Sequence, residues 1–130
     1  MEHKRLTKAE EDVMQILWEL KEAFVNDLIE KMPEPKPAYN TVSTIIRILE
    51  KKEFVAHKAF GKSHQYFPLM SKKEYADKYF SNFVHKYFSN SYQSLVSFLT
   101  GQDKLDLKDM EAIKKMMEAE INKQKGEENE

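Results

Sequence analysis

Four polar side chains recur at helical spacing in one stretch of the sequence. They are Asn40, Thr44, Arg47 and Lys51, spaced four, three and four residues apart, with Thr41 and Ser43 on either side. Asparagine and threonine are poor helix formers, so helix propensity does not account for them. Amide, hydroxyl and guanidinium groups match the donors and acceptors that base edges present in the major groove of B-DNA. The pattern predicts a helix face that binds base edges.

Each residue type on this face suggests a partner. An arginine at 47 is suited to guanine, Asn40 to adenine or a phosphate, and the methyl groups of Thr41 and Thr44 to thymine. The alternative is a polar outer helix face within a protein-interaction module. We favour the DNA interpretation, because the face, the local charge and the predicted topology agree.

Positive charge is concentrated around this stretch. The chain carries a net charge of -1, but residues 35–65 hold six basic residues against two acidic, a balance of +4. A polyanion responds to such a local patch and not to the total. The candidates for contacts with phosphate oxygens are Lys36, Lys51, Lys62 and Ser63.

No catalytic or metal-binding arrangement is evident. The sequence contains no cysteine, which excludes disulfides, thiolate metal sites and cysteine nucleophiles. The four histidines lack metal-ligand spacing, although His57 and His64 can face one another across a predicted hairpin. We therefore expect a binding protein, not an enzyme, with no cofactor and no metal.

The elements that position the polar face are readable from hydrophobic spacing. Thr7 and Glu10 form a capping box before one helix, a second runs from about Val25 to Met32, and a third from about Ala38 to Lys52. Two short strands joined at Gly61 follow. The prediction is a mainly α fold with a small β-hairpin wing, a winged helix-turn-helix over residues 6–69 followed by a helical dimerisation unit.

For the rest of the chain, the sequence predicts a helical dimerisation domain over residues 71–122 and a disordered tail over 123–130. Eight of the fifteen aromatic residues lie between positions 75 and 98, more apolar surface than three short helices can enclose. A symmetric dimer is the commonest way to bury it. An alternative is a small-molecule pocket among Tyr79, Phe83 and Tyr87. The candidates for dimerisation are Tyr79, Phe83, Tyr87, Leu95, Phe98, Met110, Ile113 and Met117.

Several motifs together resemble the penicillinase/methicillin-resistance repressor family of winged-helix regulators. They are Tyr39-Asn40-Thr41-Val42-Ser43-Thr44, Leu6-Thr7-x-Ala9-Glu10 with Val13-Met14 and Trp18, and Gly61 with Tyr66-Phe67-Pro68. The resemblance covers roughly residues 6 to 122. It implies a homodimeric repressor on a dyad-symmetric operator, with groove contacts from Asn40, Thr41, Ser43, Thr44 and Arg47.

The same resemblance implies a route of inactivation. Family members are often cleaved in the carboxy-terminal unit downstream of a membrane-bound metallopeptidase sensor, and the matching bond is near Ser97 and Phe98. Some relatives sense copper through cysteines, which this chain lacks. Many members carry arginine where this chain has Ile48, with its own arginine one residue earlier.

The distribution of apolar residues gives an expectation for localisation. No apolar run approaches the ~20 residues of a membrane span, and the amino end opens onto no signal-peptide core, which indicates a cytoplasmic protein without membrane insertion. Two alternatives remain open: a winged-helix protein-interaction adaptor, and a repressor released by a small-molecule effector.

Overall fold

The computed structural model of the chain describes residues 5–128. Its elements in order are α1 Lys8–Leu20, α2 Val25–Lys31, α3 Tyr39–Lys51, β1 Val55–Phe60, β2 Ser63–Pro68, α4 Lys72–Phe88, α5 Tyr92–Gly101 and α6 Leu107–Glu128. The predicted fold class is confirmed: three helices and a two-stranded wing, followed by further helices. Two compact units divide inside α4, between Phe80 and Ser81.

The start of α1 is fixed by the predicted capping box. The Glu10 backbone N–H donates to Thr7 Oγ1 (3.2 Å), and the Thr7 N–H donates to Glu10 Oε1 (2.9 Å). Val13 and Leu17 then lie buried along the inner side of the helix. Together these features set where α1 begins and which side faces the core.

One hydrophobic core lies between the first three helices and the wing. It is built from side chains that the helical stripes turn inward, closed by the first strand. Its largest fully buried members are Phe54, Met14, Leu17, Leu28, Ile46 and Leu49. Trp18 packs at its edge, and its indole N–H donates to the Met70 carbonyl (2.9 Å).

The wing is an antiparallel hairpin whose register pairs Phe60 with Ser63 and His57 with Tyr66. Gly61 at its tip has φ 62°, a conformation that favours glycine. A further segment, which was not predicted, pairs with the second strand. Ala23 forms a β-bridge with Tyr66, in which the Ala23 N–H donates to the Tyr66 carbonyl (2.9 Å) and the Tyr66 N–H donates to the Ala23 carbonyl (2.8 Å). This bridge ties the base of the wing to the chain just before α2.

The amino-terminal part of α4 belongs to the first unit. Ser71 and Glu74 form the second predicted capping box, with the Glu74 N–H donating to Ser71 Oγ (3.0 Å). The Tyr75 hydroxyl accepts from the Leu6 N–H (3.0 Å), and its ring lies against Trp18 and Phe54. The first unit therefore includes the start of α4, which the sequence assigned to the second.

The second unit contains the end of α4 with α5 and α6. Its aromatic side chains contact one another: Phe83 lies near Tyr87 and Phe88, and Phe88 lies edge-on to Phe98 at 5.5 Å between ring centroids. Among its described residues, Val84 is the one buried side chain. The apolar residues of α5 and α6 are otherwise partly or fully exposed.

The carboxy-terminal helix is longer than predicted. A disordered tail was expected from residue 123, whereas α6 continues to Glu128. The added segment is rich in lysine, glutamine and glutamate, which are good helix formers, and Gln124 donates to Glu120 one turn back (3.0 Å). Residues 129 and 130 of the expected tail lie outside the described residues.

Candidate nucleic-acid interface

One side of α3 is fixed in the core and the other is left free. Val42, Ile46 and Leu49 are buried, and Ile45 packs partly against them. The helix begins at Tyr39, directly after the segment that contains Pro33, Pro35 and Pro37, where the chain cannot be helical. These two constraints determine which α3 side chains face outward.

Most of the predicted base-binding residues share the free side. Asn40, Thr41, Thr44 and Arg47 are all exposed, and Lys51 continues the same side one turn further. The Thr44 hydroxyl donates back to the Asn40 carbonyl (2.8 Å), which fixes the side chain of Thr44 on the helix. The structure thus presents amide, methyl and guanidinium groups on one surface.

Ser43 is the exception among these residues. Ser43 lies on the side of α3 that is turned towards the core, and the residue is only 6% exposed. With Arg47 it lines a concavity of about 390 Å³ between α3, the start of α2 and the wing, which also includes Lys62, Ser63 and His64. The concavity brings two predicted phosphate-contact residues of the wing next to Arg47.

Arg47 is positioned by the wing as well as by its own helix. Burial raises the pKa of the Tyr66 hydroxyl, the Glu50 carboxylate raises it further, and the charge and hydrogen bond of the Arg47 guanidinium oppose that rise. Tyr66 is 3% exposed and remains a neutral phenol. The neutral phenol therefore adds no charge that would pair with the Arg47 guanidinium.

The two wing histidines face one another as predicted. The rings of His57 and His64 are stacked, with centroids 4.0 Å apart and planes inclined by 9°. His57 Nδ1 also contacts Glu50 Oε2 at 2.5 Å, which links the wing to the end of α3. No group of three metal-ligating side chains occurs in the part of the chain that the structure describes. The histidines and Glu50 therefore fix the wing against α3.

Lys36 has local partners that the sequence did not reveal. Its ammonium group donates to the carbonyls of Glu30 (2.8 Å) and Met32 (2.5 Å) at the end of α2. A cation is favourable at a helix carboxyl end, where carbonyls lack partners. Lys36, Lys51 and Lys62 are all exposed, but a phosphate contact by Lys36 would compete with these bonds.

The residues predicted for dimerisation are distributed over both units. Tyr79 belongs to the first, where its hydroxyl accepts from the Arg5 guanidinium (2.8 Å) and its ring lies below that group. The others belong to the second unit; Phe83 and Leu95 are half-buried, while Tyr87, Phe98, Met110, Ile113 and Met117 are exposed. Ser97, at the predicted cleavage position, is exposed on α5.

Sequence reasoning missed one residue on the free side of α3. Ile48 is 42% exposed, although its neighbours Ile45 and Ile46 face the core. Its position beside Thr44 on a helical projection was the signal that could have identified it. Tyr39 and Phe60 are likewise exposed apolar side chains near the concavity.

The chain is similar to known proteins over most of its length. A family model described as penicillinase repressor matches residues 6–119. The methicillin resistance regulatory protein MecI of Staphylococcus aureus (strain N315) is 29% identical over 113 residues, 86% of this chain and 92% of that protein. The corresponding protein of Mammaliicoccus sciuri is 28% identical over the same shares.

A solved structure supports the fold of the first unit. The DNA-binding domain of the repressor BlaI matches with a TM-score of 0.50 at 23% identity, covering 57% of this chain and 92% of that domain. None of the described helices is long and apolar enough to cross a membrane. Because the family match covers most of the chain, the chain belongs to the penicillinase repressor family of winged-helix, DNA-binding transcriptional repressors, which are not enzymes.

Proposed function

We propose that the chain is a homodimeric repressor that binds a dyad-symmetric operator by placing α3 in the major groove. The observation that carries this is the free side of α3, where Asn40, Thr44 and Arg47 lie together and are exposed. The groove admits one α-helix and displays base edges that these groups can bind. The core fixes the opposite side of α3, so the contacts are preorganised.

Within this proposal, side chains divide into base contacts and phosphate contacts. Arg47 binds guanine through two hydrogen bonds, Asn40 binds adenine or a phosphate, and Thr41 and Thr44 contact thymine. The phosphate contacts come from Lys51 and from Lys62 and Ser63 of the wing, which fix the register without reading sequence. The buried Ser43 is left out of the base contacts, and Lys36 is the weakest phosphate candidate because it caps α2.

The second unit supplies the dimer in this proposal. Exposed apolar side chains on α5 and α6, including Phe98, Met110, Ile113 and Met117, form more apolar surface than isolated exposed residues explain. A two-fold pair of copies buries the same surface on both. A rigid dimer then binds half-sites about one helical turn, ~34–36 Å, apart or a multiple of it.

We propose proteolysis near Ser97 and Phe98, downstream of a membrane-bound metallopeptidase sensor, as the release step. A protease acts on a segment that opens from its helix, and opening is easiest where few side chains are buried. No residue of α5 is buried, so the segment meets that condition. Release by a small molecule bound among the aromatic residues is the alternative; it predicts an intact chain after induction.

The adaptor alternative is separated from repression by a DNA-binding test. Affinity for a bound duplex, measured by gel shift, should fall ~10³–10⁵-fold between 50 and 200 mM salt for about 6–10 phosphate contacts. An adaptor would show no salt-sensitive binding to duplex DNA. Fragments ending near Ser97 after incubation with a sensor would separate cleavage from ligand release.

Two variants test the assignment of contacts. Arg47→Ala should cost ~1–3 kcal/mol of binding free energy and relax preference at one base position, because it removes a base contact. Lys62→Ala should weaken specific and scrambled duplexes equally, because it removes a phosphate contact. Thermal unfolding of both variants controls for the link between Arg47 and Tyr66. Unchanged selectivity in folded Arg47→Ala would contradict the proposed binding surface.

A further inference from the structure

An apolar strip crosses the polar free side of α3. Ile48 lies four residues after Thr44 and seven after Thr41, so all three share one side of the helix. All three are exposed, Ile48 by 42%. We call these three residues the methyl strip.

The hydrogen bond of Thr44 determines what this residue offers outward. Its hydroxyl proton is donated to the Asn40 carbonyl (2.8 Å), so it has no proton left to donate to a base. The lone pairs of its oxygen can still accept a hydrogen bond, and its γ-methyl group offers an apolar contact. Thr44 and Ile48 are four residues apart, so the γ-methyl group and the isoleucine side chain are neighbours on this side of α3.

Ile48 is an exposed β-branched residue within a helix. β-branched residues are not favoured in exposed helix positions, and an apolar side chain gains nothing by remaining in water. Leu69, by comparison, is 55% exposed outside any helix or strand. Ile48 is instead flanked by the groups that the proposed function directs at base edges.

From this arrangement we infer that the methyl strip makes Ile48 a specificity-determining residue that selects thymine through its C5-methyl group. The inference rests on the proposed placement of α3 in the major groove, where thymine alone displays a methyl group. An isoleucine has no donor or acceptor for any other base feature. Cytosine carries only a C5–H at that place, which gives less apolar contact, and the purines present the N7 acceptor, which the strip would desolvate without a partner.

The test uses the full chain and a duplex recovered by selection from a randomised library. Each thymine of that duplex is replaced singly by deoxyuridine, which removes the C5-methyl group and leaves base pairing intact. The wild-type chain should lose about fourfold in affinity at one or two thymines, the factor expected for one buried methyl-sized group.

Variants then assign this loss to Ile48. Ile48→Ala should bind the thymine duplex about fourfold or more weakly, and should be indifferent to deoxyuridine at the position that Ile48 contacts. Ile48→Val, which keeps the branched Cβ, should be intermediate in both affinity and sensitivity to deoxyuridine. Alanine is the better helix former, so Ile48→Ala should remain folded. Leu69→Ala is the matched control and should keep both wild-type affinity and deoxyuridine sensitivity.

The outcomes distinguish the inference from the function on which it rests. If selection enriches no duplex, the proposed function and the inference fail together. If a duplex is bound but no deoxyuridine replacement weakens wild-type binding, the inference is overturned together with the thymine contacts assigned to Thr41 and Thr44, while operator binding by α3 stands. It is also overturned if folded Ile48→Ala shows the same sensitivity to deoxyuridine as the wild type at every thymine.

Discussion

The two units of the chain treat their apolar side chains in opposite ways. In the first, Phe54, Met14 and Leu17 are fully buried, and the helices and wing close over them. In the second, Val84 is the one buried residue among those described, while Ile113 and Met117 on α6 are exposed by 42% and 58%. The first unit has its own hydrophobic core, whereas the second exposes apolar side chains of the kind that normally form a core.

The two units must therefore reach stability by different means. A chain must bury apolar surface to offset the entropy of ordering its residues. The first unit does so within one copy and can hold α3 rigid without a partner. The second lacks that burial, so its stability depends on what covers it, which in our proposal is a second copy.

Truncation of one large buried side chain should have the largest effect. Phe54→Ala should lower the free energy of unfolding of the first unit by ~3–5 kcal/mol, because it leaves a cavity in the core. Trp18 is the one tryptophan of the chain and lies in this unit, so its fluorescence during urea denaturation measures the loss. Leu69→Ala, which removes an exposed side chain, should change the midpoint little. Equal losses for both variants would refute an independent core.

A charge placed on the exposed apolar side of α6 should act on association instead. Ile113→Asp should raise the dimer dissociation constant at least about a hundredfold, because an unpaired carboxylate would be buried in the interface. Sedimentation equilibrium measures this change. Ala112→Asp places the same charge at the adjacent position, 100° around the helix, and should leave association near wild type. A wild-type chain that remains monomeric at high concentration would contradict the proposed dimer.

A smaller effect is expected where α1 meets the end of α3. Lys52 Nζ contacts Glu10 Oε2 at 2.7 Å. Burial alone would raise the pKa of Glu10, but the hydrogen bond and charge of Lys52 and the bonds with Thr7 lower it below 4.5. Lys52→Met should therefore lower the free energy of unfolding at pH 7 by about 2 kcal/mol.

The sign of the pH dependence follows from the lowered pKa. The contribution of Glu10 is fully present above its unfolded value of 4.5 and is lost as the pH falls through the lower folded value. Urea midpoints followed by Trp18 fluorescence should therefore decline with acid, and less steeply in Lys52→Met. Lys51→Met, the exposed neighbour, should keep the wild-type profile. The same profile in both variants would mean that the ion pair does not stabilise the first unit.

The local features of the fold were predictable because their signals lie within a few residues. Both capping boxes, Thr7 with Glu10 and Ser71 with Glu74, form the predicted bonds. Contacts between distant segments were not predictable. The bridge of Ala23 with Tyr66 and the pair of Glu10 with Lys52 join residues that only the tertiary fold brings together.

The candidate site shows the same limit at the level of single side chains. A projection at 100° per residue separates the buried stripe of α3 from its free side, but it does not show what packs beside each residue. Ser43 lies at the border, and its burial depends on neighbouring elements. Lys36 formed its bonds with the end of α2 because the proline-rich segment returns it there, which charge counting does not reveal.

The complete core of the first unit has a consequence for selectivity. Because α3 is held by its own copy, each half of the proposed dimer would discriminate between sequences independently, and the two discrimination energies would add. A tenfold preference in one half becomes a hundredfold preference in the whole. Separating the two copies would leave each α3 folded. The sequence preference of each copy would then be the square root of the preference of the dimer, so loss of the connection alone would remove most of the selectivity.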